Sequence, residues 1–136
     1  MINYCNLTDK NKIIELGKLI NKNFGKVNNI DDLIRNKEII GYYDNNELVG
    51  FLIFNKCYEV IDLLYIIVDI IFRKRGIGSE LLKYLIDNFI YEKILLEVRC
   101  DNNNAIKLYK KYNFKIINIR KNYYENMDAY VMELIK

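Results

Sequence analysis

Apolar residues in this chain fall into short runs, some alternating with polar positions and some recurring at helical spacing. Asn, Asp and Gly separate the runs, and proline is absent. Ile2 to Asn6 reads as a short strand. Thr8 or Asp9 predicts the cap of a helix carrying Ile13, Ile14, Leu16, Leu19 and Ile20, and a second short helix is expected near Asp31 to Asn36. Ile39 to Tyr43 and Glu47 to Cys57 flank Asp44-Asn45-Asn46, whose residue types tolerate the positive φ of a tight hairpin turn. Val60 to Val68 is apolar almost throughout, which suits the centre of a sheet better than a half-exposed strand.

Beyond Gly78, the residues Leu81, Leu82, Leu85, Ile86 and Phe89 predict an amphipathic helix. Ile94 to Cys100 follows as a buried strand. Asn102 to Tyr112 predicts another helix, and Lys115 to Tyr123 and Ala129 to Ile135 predict two last strands. The order β-α-α-β-β-β-α-β-α-β-β points to an α/β (α+β) fold with a mixed central sheet. With 136 residues and no linker or repeat, a single domain over 1–136 is expected.

Composition narrows the chemistry. Apolar residues at 51% and charged residues at 29% describe a globular chain, and a net charge of +3 is too small for a protein whose main ligand is nucleic acid. With no His and three cysteines lacking C-x-x-C spacing, neither a metal site nor a histidine base is expected. Proton transfer would fall to Glu, Asp, Tyr, Lys or Cys. The first ten residues lack the order of a signal peptide and no apolar run is long enough for a membrane span, so the expected location is cytoplasmic, without a membrane partner.

The sharpest local feature is Arg73-Lys74-Arg75-Gly76-Ile77-Gly78-Ser79, between a strand and a helix. First-turn amides have no acceptor within their own helix and the helix dipole is positive there, so such a turn suits a phosphate. The cations and the Ser79 hydroxyl would add to it. Two glycines can equally serve backbone geometry alone. Position 81 is Leu81, so the G-x-G-x-x-G dinucleotide fingerprint is missing, as is the Gly-Lys-Ser/Thr ending of a P-loop.

Arg73-x-x-Gly76-x-Gly78 instead resembles the R/Q-x-x-G-x-G/A pattern of the GCN5-related N-acetyltransferases, where this turn holds the pyrophosphate of acetyl-CoA. Leu96-Glu97-Val98-Arg99, Asn102, Ala105-Ile106, Leu108-Tyr109, Phe114, Arg120-x-x-Tyr123-Tyr124, Asp128-Ala129 and Met132 are similar to the bacterial ribosomal-protein-alanine N-acetyltransferase subfamily. The likeness covers about Tyr65 to Leu134, roughly half the chain. It implies acetyl-CoA as cosubstrate, with backbone groups of Ile66, Ile67 and Val68 binding its pantetheine and the oxyanion. Arg73, Lys74, Arg75, Gly76, Ile77, Gly78 and Ser79 would hold the pyrophosphate, and Asn102 would contact the coenzyme or simply cap its helix.

Glu97 interrupts an apolar strand. It has two readings: a partner for Arg99, on the same face two positions on, or a general base with a pKa raised by partial burial. The resemblance implies the base. Tyr109 reads as a core aromatic beside Ile106 and Tyr112, whereas the resemblance implies the acid that protonates the departing coenzyme A thiolate. Direct attack of a neutral amine on the thioester, through a tetrahedral intermediate, would follow. A protein N-terminus, with a reference pKa of about 8 against about 10.4 for lysine, suits a modest base. The alternatives are a small amine or polyamine acceptor, and a non-catalytic acyl-CoA-binding module. Asp62 and Glu59 are alternative bases at strand or turn positions, and Cys57 and Cys100 lack a His to form a thiolate nucleophile. Departures from the subfamily fall on the acceptor side. Phe24-Gly25-Lys26-Val27 stands where an aromatic-rich Phe-Pro-Trp-type segment is usual, the Tyr124–Asp128 connection is short, and Asn113 replaces a glycine.

Overall fold

The computed structural model describes residues 1–27 and 29–136. Its strands are β1 (Ile2–Tyr4), β2 (Ile39–Asp44), β3 (Glu47–Cys57), β4 (Val60–Val68), β5 (Lys93–Arg99), β6 (Lys115–Tyr124) and β7 (Met127–Ile135). The helices are α1 (Lys10–Gly17), α2 (Phe24–Val27), α3 (Ile30–Arg35), α4 (Ile77–Asn88) and α5 (Asn103–Lys111). The strands form one mixed seven-stranded sheet in the order β1-β2-β3-β4-β5-β7-β6, the expected fold class with one extra short helix, α2. Two compact units divide the chain: Met1–Phe54 with Tyr65–Asn88, and Asn55–Leu64 with Phe89–Lys136.

In the first unit, β2 pairs antiparallel with both β1 and β3. The β2–β3 turn places Asn45 and Asn46 at φ 51° and 66°, the left-handed region that Asn enters at low cost. Neither Thr8 nor Asp9 caps the first helix by its side chain. Asn6 opens a 3₁₀ turn over Leu7–Asp9, accepting from the Thr8 amide at 3.0 Å, while Asp9 accepts from the Asn6 amide at 2.9 Å. The helix also stops early. Gly17 is its last residue, and Leu19 and Ile20, expected on its buried side, lie beyond it at 52% and 58% exposure.

The reason is Phe24, which is fully buried at the start of α2. A Cβ on Gly17 would lie 2.2 Å from the Phe24 ring, so only glycine lets the ring seat there. Phe24 then packs against Phe51 and, edge-on at 5.4 Å, against Tyr65, within a core that includes Ile13, Leu16, Ile39, Ile53 and Ile67. The Phe24 side chain, in the segment that departs from the subfamily pattern, thus supplies core.

In the second unit, the first half of β4 runs parallel to β5, with Ile61 opposite Ile94. β5 pairs antiparallel with β7, and β7 with β6, so β7 lies between two strands that precede it in the sequence. Only one face of β5 is closed: Ile94, Leu96 and Val98 are buried, while Glu97 and Arg99 are exposed. This corrects the expectation of a fully buried strand, and it places Glu97 on the open face. Just beyond the end of α5, Asn113 has a φ of 73°, the left-handed conformation that a glycine would otherwise supply.

Candidate active site

In the first unit, β4 leads through a 3₁₀ turn (Ile70–Phe72) capped by Asp69, which accepts from the Ile71 amide at 3.3 Å. Arg73 then turns back, its Nε donating to the Val68 carbonyl at 3.1 Å. Lys74 at φ 63° and Gly76 at φ 78° fold the chain into α4, and the Glu80 amide closes the first helical turn on the Gly76 carbonyl at 2.9 Å. The amides of Ile77, Gly78 and Ser79 therefore stand at the positive end of the helix, before any acceptor within it.

The two glycines have different physical causes. Gly76 is required by its positive φ, and a Cβ there would meet nothing within 4 Å, so open space lies above the backbone. At Gly78 a Cβ would make ordinary contact with Ile66 and Val68, at 3.6 and 3.9 Å. The exposed side chains of Arg73, Lys74 and Arg75 surround this turn, Arg75 lying over the Phe72 ring at 5.0 Å. One group opposes an anion: Glu80 is in the first turn of α4, where its carboxylate raises the Tyr42 phenol above its ordinary value. A phosphate fits the cradle of amides and cations on the Gly76 side. Ile67 is buried as a whole residue, with 2% of its surface exposed.

In the second unit, Arg99 is not the partner of Glu97. Arg99 binds Asp101 through two hydrogen bonds of 3.1 and 3.2 Å, and this pairing holds the Asp101 carboxyl below its usual range. Glu97 instead accepts from Arg120 Nη1 at 2.7 Å. The neighbouring Glu97 carboxylate pushes the Tyr123 phenol above its ordinary value, and the Arg120 guanidinium lies over the Tyr123 ring at 4.0 Å.

Asn102 caps α5, accepting from the Ala105 amide at 3.2 Å. Tyr109 is half-buried on α5 with its ring 5.7 Å from Phe114. Loss of water around the phenol, with a smaller effect from Tyr124, pushes its pKa up to about 12. The hydroxyl therefore keeps its proton throughout the neutral range and is a donor rather than a base.

The model of the Acetyltransferase (GNAT) family matches residues 17–114. This chain belongs to that family. Among its curated relatives, the N-alpha-acetyltransferase of Sulfolobus acidocaldarius is 46% identical over 66 residues, 45% of this chain and 39% of that protein. The [Ribosomal protein bS18]-alanine N-acetyltransferase of Salmonella typhimurium is 35% identical over 97 residues, 66% of each chain. These matched stretches thus span about two fifths to two thirds of the relatives' length. A solved GNAT-fold structure, Arabidopsis thaliana Naa50 in complex with the bisubstrate analogue CoA-Ac-MVNAL, superposes with a TM-score of 0.78 at 25% identity, covering 100% of this chain and 98% of that one.

The four remaining candidates of the GNAT chain lie in its second unit. Glu59 sits at the β3–β4 turn, where its carbonyl accepts from the Glu92 amide at 2.7 Å, and Asp62 lies in the parallel β4–β5 ladder opposite Leu95. Cys57 is exposed, and the Cys100 thiol lies 3.4 Å from the Met127 sulfur. The residue missed from sequence is Arg120 as the partner of Glu97. Its signal was a cross-strand one: Glu97 pairs with Val131 and Arg120 with Ala129, two positions away on the same face, so the two meet diagonally across β7. Among the described residues, no helix is long and apolar enough to cross a membrane.

Proposed function

We propose that this GNAT protein transfers the acetyl group of acetyl-CoA to the α-amino group of a protein N-terminus. The observation that carries the reading is the turn at Gly76, left-handed and with open space beside its Cα, which leads into the start of α4 next to Arg73, Lys74 and Arg75. That arrangement suits a pyrophosphate, and the turn lies in a chain of this family. Relatives named N-alpha-acetyltransferase and ribosomal-protein-alanine N-acetyltransferase, and the peptide portion of the analogue bound to Naa50, support an N-terminal amine as acceptor.

Glu97 and Tyr109 take complementary roles in this reading. The exposed Glu97 carboxylate removes a proton from the incoming ammonium or amine, directly or through water. The nitrogen lone pair attacks the thioester carbonyl, a C–N bond forms, and the C–S bond breaks with its electrons on sulfur. Tyr109, protonated because its pKa is pushed up to about 12, donates to the departing thiolate. Amides at the end of β4 offer donors to the developing oxyanion.

The test uses the full chain with acetyl-CoA and a peptide beginning Ala-Arg-Tyr that also contains one internal lysine. The product is mapped by tandem mass spectrometry. Acetyl on the α-amine is the expected outcome; acetyl on lysine alone, or on spermidine but not on the peptide, would replace this acceptor assignment with a side-chain or small-amine one.

A further inference from the structure

We infer that Arg120 is a positioning residue that fixes the Glu97 carboxylate for proton transfer, with the Tyr123 ring supporting its guanidinium. The inference rests on the reading of Glu97 as the base. Glu97 stands on the open face of β5, where a glutamate side chain would sample several rotamers. A donor removes that freedom: Arg120 Nη1 at 2.7 Å. The Arg120 guanidinium in turn lies over the Tyr123 ring at 4.0 Å. Glu97, Arg120 and Tyr123 thus form one contiguous chain of contacts, in which Glu97 raises Arg120 above its ordinary value.

The sheet explains why Arg120 takes this role and Arg99 does not. Ala129 pairs with Arg99 on one side and with Arg120 on the other. It is fully buried, and its small side chain leaves the path across β7 open to a long one. Arg99 is turned away by its two hydrogen bonds to Asp101. Arg120 is therefore the cation that reaches Glu97. An ion pair this exposed adds little to stability, so its geometry is better explained by what it does to the carboxylate. Misplacing a catalytic group by about 1 Å costs on the order of 100-fold in rate, which is the scale on which such a clamp acts.

A double-mutant cycle tests this, reading kcat and KM for acetyl-CoA with the Ala-Arg-Tyr peptide in wild type, Arg120→Met, Glu97→Gln and the double variant. Thermal unfolding of each variant confirms that it is folded. Arg120→Met is expected to lower kcat about 10- to 100-fold with KM for acetyl-CoA unchanged, and Arg120→Lys to recover part of that loss. In the Glu97→Gln background, Arg120→Met should cost almost nothing more, because Arg120 acts only through Glu97. Equal losses in both backgrounds, or wild-type kcat in Arg120→Met, would overturn the inference. Wild-type kcat in Glu97→Gln would instead overturn the reading of Glu97 as base, a separate result.

Discussion

Tyr109 gives the account its clearest handle at the level of single residues. Burial of its phenol on α5 pushes its pKa up to about 12, so it remains a donor throughout the neutral range. Tyr109→Phe is expected to lower turnover about 100-fold while leaving KM for acetyl-CoA nearly unchanged. Because the raised pKa keeps the proton in place, the wild-type rate should show no alkaline limb from this group below about pH 11. A limb near pH 10 that disappears in Tyr109→Phe would contradict that assignment. Gly17 makes a structural prediction at the same scale. A methyl there would lie 2.2 Å from the buried Phe24 ring, so Gly17→Ala should destabilise the fold by about 1–3 kcal/mol, read as a lower Tm.

The turn between β4 and α4 separates two roles of glycine at the level of elements. Gly76→Ala forces a side chain into φ 78°, which costs about 1–2 kcal/mol, and fills the space beside the first-turn amides. It should therefore lower both Tm and acetyl-CoA affinity. At Gly78 the added methyl meets its neighbours at ordinary distance, so Gly78→Ala should leave Tm almost unchanged. Equal Tm values for the two variants would show that the left-handed backbone is not what Gly76 provides.

This turn was legible in the sequence because glycine and clustered cations report backbone conformation and charge directly. So was the β2–β3 hairpin, since Asn45 and Asn46 tolerate the positive φ they adopt. The end of α1 was not, because Gly17 ends the helix through a ring that arrives from seven residues further along the chain. The partner of Glu97 was hidden for a similar reason. It depends on β7 inserting between β5 and β6 and on register shifts in β6 between Ile116 and Asn118 and between Arg120 and Tyr124, none of which leaves a local signature.

The molecule as a whole carries an alkaline weakness. Burial pushes the Cys5 thiol up to about 12, Tyr109 is also raised to about 12, and Tyr43 is raised by burial and by its hydrogen bond to Asp9. Each group binds its proton more tightly in the folded chain than in the unfolded one. Their contribution is thus complete below the unfolded values, near 9 for Cys5 and 10 for the tyrosines, and is lost as pH rises towards the folded ones. Tm should fall steadily between about pH 9 and pH 12; a flat Tm across that range would show that these groups are solvated in the folded protein.

The most direct test of the central claim is release of coenzyme A thiol from acetyl-CoA by the full chain, with the Ala-Arg-Tyr peptide, the same peptide with its α-amine formylated, and spermidine. The account predicts release that requires the free α-amine and is absent with the blocked peptide. Release with spermidine alone, or coenzyme binding with no release from any of the three, would contradict it.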